Sequence, residues 1–328
     1  MQGKAIVAGG AGFIGTHLIR RLLDAGHEVV CVDNLSTGSM DAVNSLKRSR
    51  AFTFVHGDVR DLPALPPANW IFNLACPASP RHYQLDPVAT LMSSVEGTRQ
   101  LLEHANTVGA RMLQASTSEV YGSPLVHPQH ESYWGNVNPV GPRACYDEGK
   151  RCAETLCMEY RRTRGASVRI ARIFNTFGPG MSSDDGRVIP SFVHQALRGE
   201  PVTVFGNGRQ TRSFCYVDDL VSGLLALMMC DDDEIKPINL GNPREVSMLE
   251  LVELVGKVLG APVAIRFADL PIDDPPNRRP NIQQAVQKLG WRPIVPLEEG
   301  LLRYVASGMR DVPAEPGQEI SFETEAEQ

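Results

Sequence analysis

Short apolar runs alternate with longer segments of helical spacing through the first half of the chain. The apolar runs lack the period-two polarity of a strand that has one wet face, so both of their faces are predicted to be buried. This alternation predicts an α/β fold, a doubly wound parallel sheet covered by helices. The predicted strands are Ala5–Ala8, Glu28–Val32, Phe52–Val55, Trp70–Ala75 and Arg111–Ser116, and the predicted helices include Phe13–Ala25, Val88–Val108, Tyr146–Arg162 and Ser247–Leu259.

A glycine-rich loop lies between the first predicted strand and the first helix. Gly9, Gly12 and Gly15 stand three apart, with Phe13 and Ile14 between the last two. Glycine lets the backbone approach a pyrophosphate, whose charge then lies at the free N–H groups of the helix start. The context favours a Rossmann nucleotide site over a structural turn.

An acidic residue, Asp33, ends the second predicted strand. A carboxylate there accepts hydrogen bonds from an adenosine ribose and repels a 2′-phosphate, which predicts NAD rather than NADP. Asp58 is predicted to meet the adenine, and a surface turn is an equally good interpretation of it. The remaining predicted cofactor residues are Asn34, Ser36, Thr37, Gly38, Val59, Leu74 and Ala75.

Beyond residue 175 the pattern becomes irregular and richer in glycine and proline. We therefore predict an NAD-binding Rossmann domain over residues 1–175, to which the chain returns near 213–240. A smaller substrate lobe is predicted over 176–310.

The net charge of −6 comes from one end of the chain. Residues 311–328 hold six acidic and no basic residues, which predicts a disordered tail. The remaining 310 residues carry 32 charges of each sign. A neutral body lacks the basic surface that a nucleic-acid polymer requires, so no such partner is predicted.

The seven cysteines are scattered and form no C-x-x-C pair, which favours a reducing compartment. No stretch reaches the ~18 apolar residues of a membrane span, and the start of the chain is too short for a signal-peptide core. We predict a cytoplasmic protein with no membrane partner and no metal site.

Two pairs of polar residues are candidates for chemistry. Tyr146 and Lys150 share one helix face, where an ammonium beside a phenol favours the phenolate and so a base near neutral pH. Thr117 and Glu119 follow a strand whose carboxyl end is where such folds bind ligands. Thr117 is predicted to bind the reacting hydroxyl, and Glu119 to handle a second proton.

Several longer motifs in the sequence resemble those of a known family. Together with the glycine loop, they resemble the UDP-glucuronate decarboxylases, or UDP-xylose synthases, of the extended short-chain dehydrogenase/reductase superfamily, over residues 4 to about 305. The motifs are Leu74–Pro80, Ser116–Gly122, His127–Gln129, Tyr133–Gly135, Cys145–Lys150 and Ala171–Pro179.

The resemblance implies bound NAD, the substrate UDP-glucuronate and a C4-keto intermediate that loses CO₂. It implies that Tyr146 and Lys150 form the base, that Thr117 orients the C4 oxygen, and that Glu119 and Arg278 serve decarboxylation and reprotonation. Ser79 and Pro80 match a segment that faces the sugar carboxylate. The candidates for the UDP half are Asn175, Arg187, Phe205, Gln210, Arg212 and Arg278.

Two residues depart from the expected motifs. Gly180 stands where arginine is expected, and Asn281 stands where aspartate would help to position Arg278. A 4-epimerase and a 4,6-dehydratase remain alternatives, although a dehydratase would carry Asp in place of Ser118. A non-catalytic NAD sensor is the alternative from another class.

The helices predicted at Val88–Val108 and Tyr146–Arg162 carry more apolar and small residues than two exposed helices need. In related enzymes the equivalent helices form a dimer interface, so a homodimer is expected. Packing of both helices on the sheet is the simpler alternative.

Overall fold

A computed structural model describes residues 3–183, 185–232, 235–270 and 277–308. The predicted acidic tail at 311–328 and residues 271–276 of the predicted substrate lobe lie outside the described residues.

The five predicted apolar runs agree to within two residues with the first five of the fourteen described strands. The strands are β1 (Lys4–Ala8), β2 (Glu28–Asp33), β3 (Phe52–His56), β4 (Trp70–Asn73), β5 (Arg111–Thr117), β6 (Val168–Ile173), β7 (Thr176–Phe177), β8 (Val202–Phe205), β9 (Thr211–Ser213), β10 (Cys215–Tyr216), β11 (Ile238–Leu240), β12 (Glu245–Ser247), β13 (Ile265–Ala268) and β14 (Asn277–Arg278).

The four predicted helical segments agree to within two residues with four of the ten described α-helices. The helices are α1 (Phe13–Asp24), α2 (Met40–Leu46), α3 (Pro80–Tyr83), α4 (Pro87–Val108), α5 (Ala144–Arg164), α6 (Val188–Leu197), α7 (Val217–Met229), α8 (Met248–Leu259), α9 (Gln283–Leu289) and α10 (Leu297–Gly308).

Seven strands form one parallel sheet in the order β11-β6-β5-β4-β1-β2-β3. The prediction of a doubly wound α/β fold is therefore confirmed. The strand order reverses at β1, which pairs with β2 on one side and with β4 on the other. In open parallel sheets ligands bind at the carboxyl ends of the strands beside such a reversal.

Alternate residues of β1 enter two separate cores. Val7 packs in the core that contains Leu18 of α1 and Leu224 of α7. Ile6 packs in the other core, with Leu101 of α4 and residues of α5. Burial on both faces explains why β1 shows no alternation of polar and apolar residues.

The long helices have clear sequence signals at their ends. The Asp86 carboxylate accepts from the Ala89 N–H at 2.9 Å at the start of α4. Gly109 ends α4 and Gly165 ends α5, each in the left-handed conformation that glycine adopts most readily. Within the described residues no helix is both long and apolar enough to cross a membrane.

After β6 the chain builds small sheets beside the main one. One is ordered β12-β9-β14 and another joins β8 to β13. Between them the chain returns to the main sheet, where β11 pairs with β6 and α7 packs against α1. A cleft forms between the carboxyl ends of the main strands and the small sheets.

Candidate active site

The glycine loop after β1 is packed too tightly for side chains. A Cβ atom on Gly15 would lie 2.4 Å from the Gly9 carbonyl oxygen. One on Gly9 would lie 2.7 Å from the Leu74 carbonyl carbon, and Gly9 has a φ of +76°. Both positions therefore require glycine, and they bring the loop backbone up to the start of α1.

Asp33 connects this loop to the next one. Its carboxylate accepts from the Ala11 N–H at 2.9 Å and from the Leu35 N–H at 2.8 Å. Burial raises the pKa of Asp33, although these two hydrogen bonds act in the opposite direction. Leu35 has a φ of +62°, so the hydrogen bond from its N–H holds an uncommon backbone conformation.

Asp58 lines the cleft, but its carboxylate already has strong partners. It pairs with Arg60 at 2.8 Å and accepts from the Asn34 side chain at 2.9 Å. The hydrogen bond from Arg60 lowers the pKa of Asp58 to about 2. Asp58 therefore fixes the Asn34 side chain in the cleft.

The cleft has a volume of about 1600 Å³ and brings the predicted site residues together. Gly38 does not line the cleft, because it lies against Ala11 and the Asp33 carboxylate. Every other predicted site residue does. Those predicted to bind the cofactor are Gly9, Gly12, Phe13, Ile14, Gly15, Asp33, Asn34, Ser36, Thr37, Asp58, Val59, Leu74, Ala75, Tyr146 and Lys150, and those predicted to bind the substrate or to act in catalysis are Ser79, Pro80, Thr117, Glu119, Asn175, Arg187, Phe205, Gln210, Arg212 and Arg278.

Tyr146 lies in the first turn of α5, beside Thr117 at the end of β5. Lys150 is one turn further along, with its Nζ 5.8 Å from the centre of the Tyr146 ring. The Lys150 ammonium donates to the Ala115 carbonyl oxygen at 3.0 Å, which fixes its position. The spacing in the sequence thus places a phenol and an ammonium on one face of the helix.

The electrostatics of Tyr146 differ from the sequence-based expectation. Burial raises the pKa of the phenol, and the nearby Cys76 thiol and Glu119 carboxylate raise it further. Its hydrogen bond with Thr117 lowers it. The protein alone therefore does not prepare the phenolate, because the cost of burying its charge exceeds the favourable contacts.

Glu119 lies between two arginines. Its Oε2 accepts from Arg143 at 2.6 Å and from Arg278 at 3.1 Å. Burial raises the pKa of Glu119, but the positive charges of Arg278 and Arg143 outweigh it and leave the pKa below its ordinary value. Glu119 is therefore an ionised carboxylate near neutral pH in this structure.

Strand pairing brings two of the predicted arginines together. Arg278 of β14 and Arg212 of β9 are direct partners in a parallel ladder. The charge of Arg212 also lowers the pKa of Glu119. Arg278 is buried and donates to the Ser118 carbonyl oxygen as well as to Glu119.

At position 281, where the motif would have an aspartate, the side chain makes a local hydrogen bond. The Asn281 side chain accepts from the Gln283 N–H at 2.9 Å, ahead of α9. Glu119 and Ser118 hold Arg278 instead. Gly180 has a φ of +87° and open space around it, so it lines the cleft without contributing a charge.

Several side chains predicted to bind the substrate already have hydrogen-bond partners within the protein. Arg187 pairs with Asp185 through two hydrogen bonds, one of 2.7 Å. The Gln210 side chain donates to the Phe205 carbonyl oxygen at 2.6 Å. Phe205 is 44% exposed on β8 and so does not belong to the core. Ser79 is hydrogen bonded to His82 at 2.8 Å.

Sequence reasoning missed four residues of this site. Tyr83 of α3 stacks on Tyr146, with ring centres 5.1 Å apart. Arg143 holds Glu119, and Cys76 lines the cleft near Tyr146. Asp147 adjoins the same charged cluster. Only Asp147 had a visible signal, since it is an acid beside the candidate base.

The residues of the cleft fit a dinucleotide. Gly9 and Gly15 leave no room for side chains at the turn, α1 presents its start, and the Asp33 carboxylate lies at the end of β2. Within the described ranges no group of three or more His, Cys, Asp or Glu side chains is arranged to hold a metal.

The fold and this site define a class of protein. Residues 5–241 match the NAD dependent epimerase/dehydratase family, and the chain belongs to it. It is an enzyme of that family, and its cofactor is NAD.

Two relatives have names that give one particular activity within this family. The chain is 52% identical over 303 residues to UDP-glucuronic acid decarboxylase 1 of Arabidopsis thaliana, covering 92% of this chain and 69% of that one. It is 50% identical over 298 residues to UDP-glucuronic acid decarboxylase 1 of Xenopus tropicalis, covering 91% and 70%.

Among solved structures, the chain resembles UDP-glucuronic acid 4-epimerase of Bacillus cereus in complex with UDP-glucuronic acid and NAD. The TM-score is 0.85 at 26% identity, over 94% of this chain and all of that one. The fold is thus shared with epimerases, while the higher identity is to decarboxylases.

Proposed function

We propose that the chain decarboxylates UDP-glucuronate to UDP-xylose through a C4-keto intermediate, with NAD⁺ regenerated in each turnover. The observation that carries this proposal is the Glu119, Arg143 and Arg278 cluster beside Tyr146 and Thr117. Identity of about half to decarboxylases of plants and a vertebrate supports it.

Tyr146 takes the proton of the C4 hydroxyl while Thr117 binds the same oxygen. NAD⁺, when bound, supplies a reversible hydride acceptor and a positive charge that lowers the pKa of a nearby phenol. Lys150, held by Ala115, adds a second positive charge on the same side. Tyr146 returns its proton to the C4 oxygen at the end of the cycle.

A ketone at C4 is β to the C5 carboxylate, so CO₂ leaves while the electron pair moves into an enolate. The ionised Glu119 keeps Arg278 and Arg143 at this point of the cleft. Their positive charges stabilise the developing enolate oxygen. Ser79 and Pro80 line the cleft where the sugar carboxylate is expected.

The UDP half occupies the wall formed by the small sheets. Arg212 and Arg187 supply guanidinium groups, which suit diphosphate oxygens. Asn175 offers an amide to the diphosphate. Phe205 is exposed in the cleft and offers a ring face to uracil.

Product analysis tests this proposal directly. Incubation of the chain with UDP-glucuronate and NAD⁺ is expected to release CO₂ and to yield a UDP-pentose, identified by NMR, with no net NADH. Recovery of UDP-galacturonate alone would show an epimerase. Unchanged substrate in a folded sample would contradict both activities.

The rival activities have less support in the site. A dehydratase is expected to have an acid at position 118, where this chain has a buried serine whose carbonyl oxygen accepts from Arg278. A non-catalytic NAD sensor has no need of Tyr146 with Lys150 beside it.

We also propose a homodimer formed through α4 and α5. Support comes from apolar residues that α4 leaves exposed, Val88 at 71% and Met92 at 41%. Sedimentation is expected to give a dimer for the wild type and a monomer for Val88→Asp with Met92→Asp, whereas Leu125→Asp on a remote loop is the control. Cytoplasmic localisation stays a prediction, which cell fractionation would test.

A further inference from the structure

The motif His127–Gln129 has no part in the reaction proposed above, although its glutamine is fully buried. Gln129 lies in the loop between β5 and α5 and is 0% exposed. Its side-chain amide is used at both ends. The amide nitrogen donates to the Val126 carbonyl oxygen at 2.8 Å, and the amide oxygen accepts from the Arg279 N–H at 2.9 Å. The side chain therefore ties its own loop to the residue that follows Arg278.

The backbone of Gln129 holds the same segment of the chain. Its N–H donates to the Arg279 carbonyl oxygen at 2.9 Å, and its carbonyl oxygen accepts from the Asn281 N–H at 2.8 Å. These bonds form an isolated parallel bridge beside the side-chain bond to Arg279. Gln129 thus fixes the backbone of residues 279–281 at three points.

The other side of Arg278 is held by β9. Arg278 pairs with Arg212 in the ladder of β14 and β9, and the Ser213 hydroxyl donates to the Arg278 carbonyl oxygen at 3.3 Å. From this backbone the buried guanidinium reaches the Ser118 carbonyl oxygen and the Glu119 carboxylate. Because the peptide bond to the next residue is rigid, a shift of that residue moves the guanidinium as well.

A second buried amide connects Gln129 to the turn that bears the carboxylate. Asn239 of β11 is 0% exposed and donates from its side chain to the Gln129 carbonyl oxygen at 3.1 Å. Its side-chain oxygen accepts from the Tyr121 hydroxyl at 2.8 Å. Tyr121 ends the short helical turn Ser118–Tyr121, which carries Glu119. One buried polar network therefore supports both partners of the ion pair.

The groups that oxidise C4 in the proposed reaction lie outside this network. None of the hydrogen bonds that Gln129 makes within the described residues involves Tyr146, Lys150 or Thr117. Loss of the Gln129 amide should therefore displace Arg278 and leave those three groups in place. A displacement of ~1 Å at a reacting group can lower a rate about 10²-fold.

Resting on the proposed decarboxylase function, we propose that Gln129 is a positioning residue for the loss of CO₂. Its side-chain amide fixes the segment that follows Arg278 and so holds the guanidinium beside the Glu119 carboxylate, where the enolate develops. Gln129 does not line the cleft, so it acts through Arg278 and not on the substrate.

Gln129→Met tests this role, because methionine is about as long as glutamine and has no amide. In a single turnover with UDP-glucuronate and NAD⁺, transient NADH should form within about twofold of the wild-type rate. CO₂ release should slow at least ~10-fold, so bound NADH should accumulate. Gln195→Met is the matched control, because Gln195 of α6 holds the Thr203 N–H at 2.9 Å in the same way. It should leave the ratio of the two rates unchanged.

Two further comparisons separate positioning from a general loss of structure. In an Arg278→Lys background, adding Gln129→Met should slow CO₂ release by less than about twofold, because the positioned guanidinium is already gone. Gln129→Glu keeps an acceptor for the Arg279 N–H, and burial favours the neutral carboxyl, which can also donate to Val126. This variant should recover most of the lost rate of CO₂ release, whereas a residue needed only for stability would tolerate a buried carboxyl no better than methionine.

Asn239→Ala carries the same test if Gln129→Met does not fold. It removes the bond from Asn239 to the Gln129 carbonyl oxygen, and it should also slow CO₂ release more than NADH formation.

Several results would overturn the positioning role. They are an equal loss of NADH formation and CO₂ release in Gln129→Met, an unchanged rate of CO₂ release in that variant, and a full additional loss in the Arg278→Lys background. A greater loss in Gln129→Glu than in Gln129→Met, or failure of all these variants to fold, would overturn it as well. Absence of CO₂ from the wild type would instead remove the decarboxylase function, and the positioning role with it.

Discussion

The two sides of the cleft are built in different ways. The cofactor side is formed by backbone from two short stretches, Gly9–Gly15 and Asp33–Gly38, in which glycines and one carboxylate shape the turn. The reacting side is formed by side chains from distant elements. Glu119, Arg143 and Arg278 lie on three different parts of the chain and meet only in the fold.

This difference has a physical consequence. A backbone site tolerates no added atoms but depends little on individual side-chain charges. A side-chain cluster tolerates changes of shape but depends on balanced charge, because burial makes each unpaired ion costly. Substitutions on the two sides should therefore fail in different ways.

The largest effect is expected on the reacting side, from Tyr146→Phe. Loss of the proton acceptor should lower turnover by ~10²–10⁴-fold. UDP affinity measured by calorimetry should stay unchanged, since the proposed function places Tyr146 at the reacting hydroxyl. A matching loss of UDP affinity would instead assign Tyr146 to binding.

Gly15→Ala is expected to disrupt NAD binding on the cofactor side by steric clash alone. The new Cβ would lie 2.4 Å from the Gly9 carbonyl oxygen, so the loop must move away from the start of α1. We expect NAD affinity, measured by calorimetry, to fall by about 10–100-fold, because the displaced loop would carry a backbone strain of ~1–3 kcal/mol. UDP affinity should be kept.

Gly12→Ala is the matched control, because its Cβ would lie 3.3 Å from the same oxygen. It should lose less NAD affinity than Gly15→Ala. Equal losses in both variants would show that the glycine loop does not act through close packing.

Glu119→Gln is expected to disrupt the reacting side by removing a negative charge. The amide leaves Arg143 and Arg278 without their counter-charge, and the loss of one charged partner costs on the order of 1–3 kcal/mol. Ketone formation should continue while CO₂ release slows about tenfold. Glu28→Gln at an exposed position is the control, and an unchanged turnover number in Glu119→Gln would show that the cluster is not used.

The smallest effect is expected from Asn281→Asp, which restores the aspartate of the expected motif. Asn281 accepts from the Gln283 N–H and does not contact Arg278, so an aspartate can make the same bond. The steady-state rate should stay within about twofold of the wild type. A larger change in either direction would show that position 281 acts on the cluster.

Much of the fold and the cofactor side was predictable because its signals are local. The apolar run of β1, the glycines after it and Asp33 at the end of β2 lie within 30 residues of one another. The alternation of buried strands and helices follows directly from residue order. Tyr146 and Lys150 were predictable for the same reason, since one helical turn separates them.

The sequence by itself therefore determined the parallel sheet, the nucleotide loop and the residue types of the reaction. Only the tertiary structure decided how the charges are shared. The β9–β14 pairing brings Arg212 beside Arg278, and the start of α5 with the residue before it places Asp147 and Arg143 near Glu119. No spacing along the chain encodes these distances, because burial and neighbouring charge are properties of the folded chain. They alone hold the pKa of Glu119 below its ordinary value and raise that of Asp147.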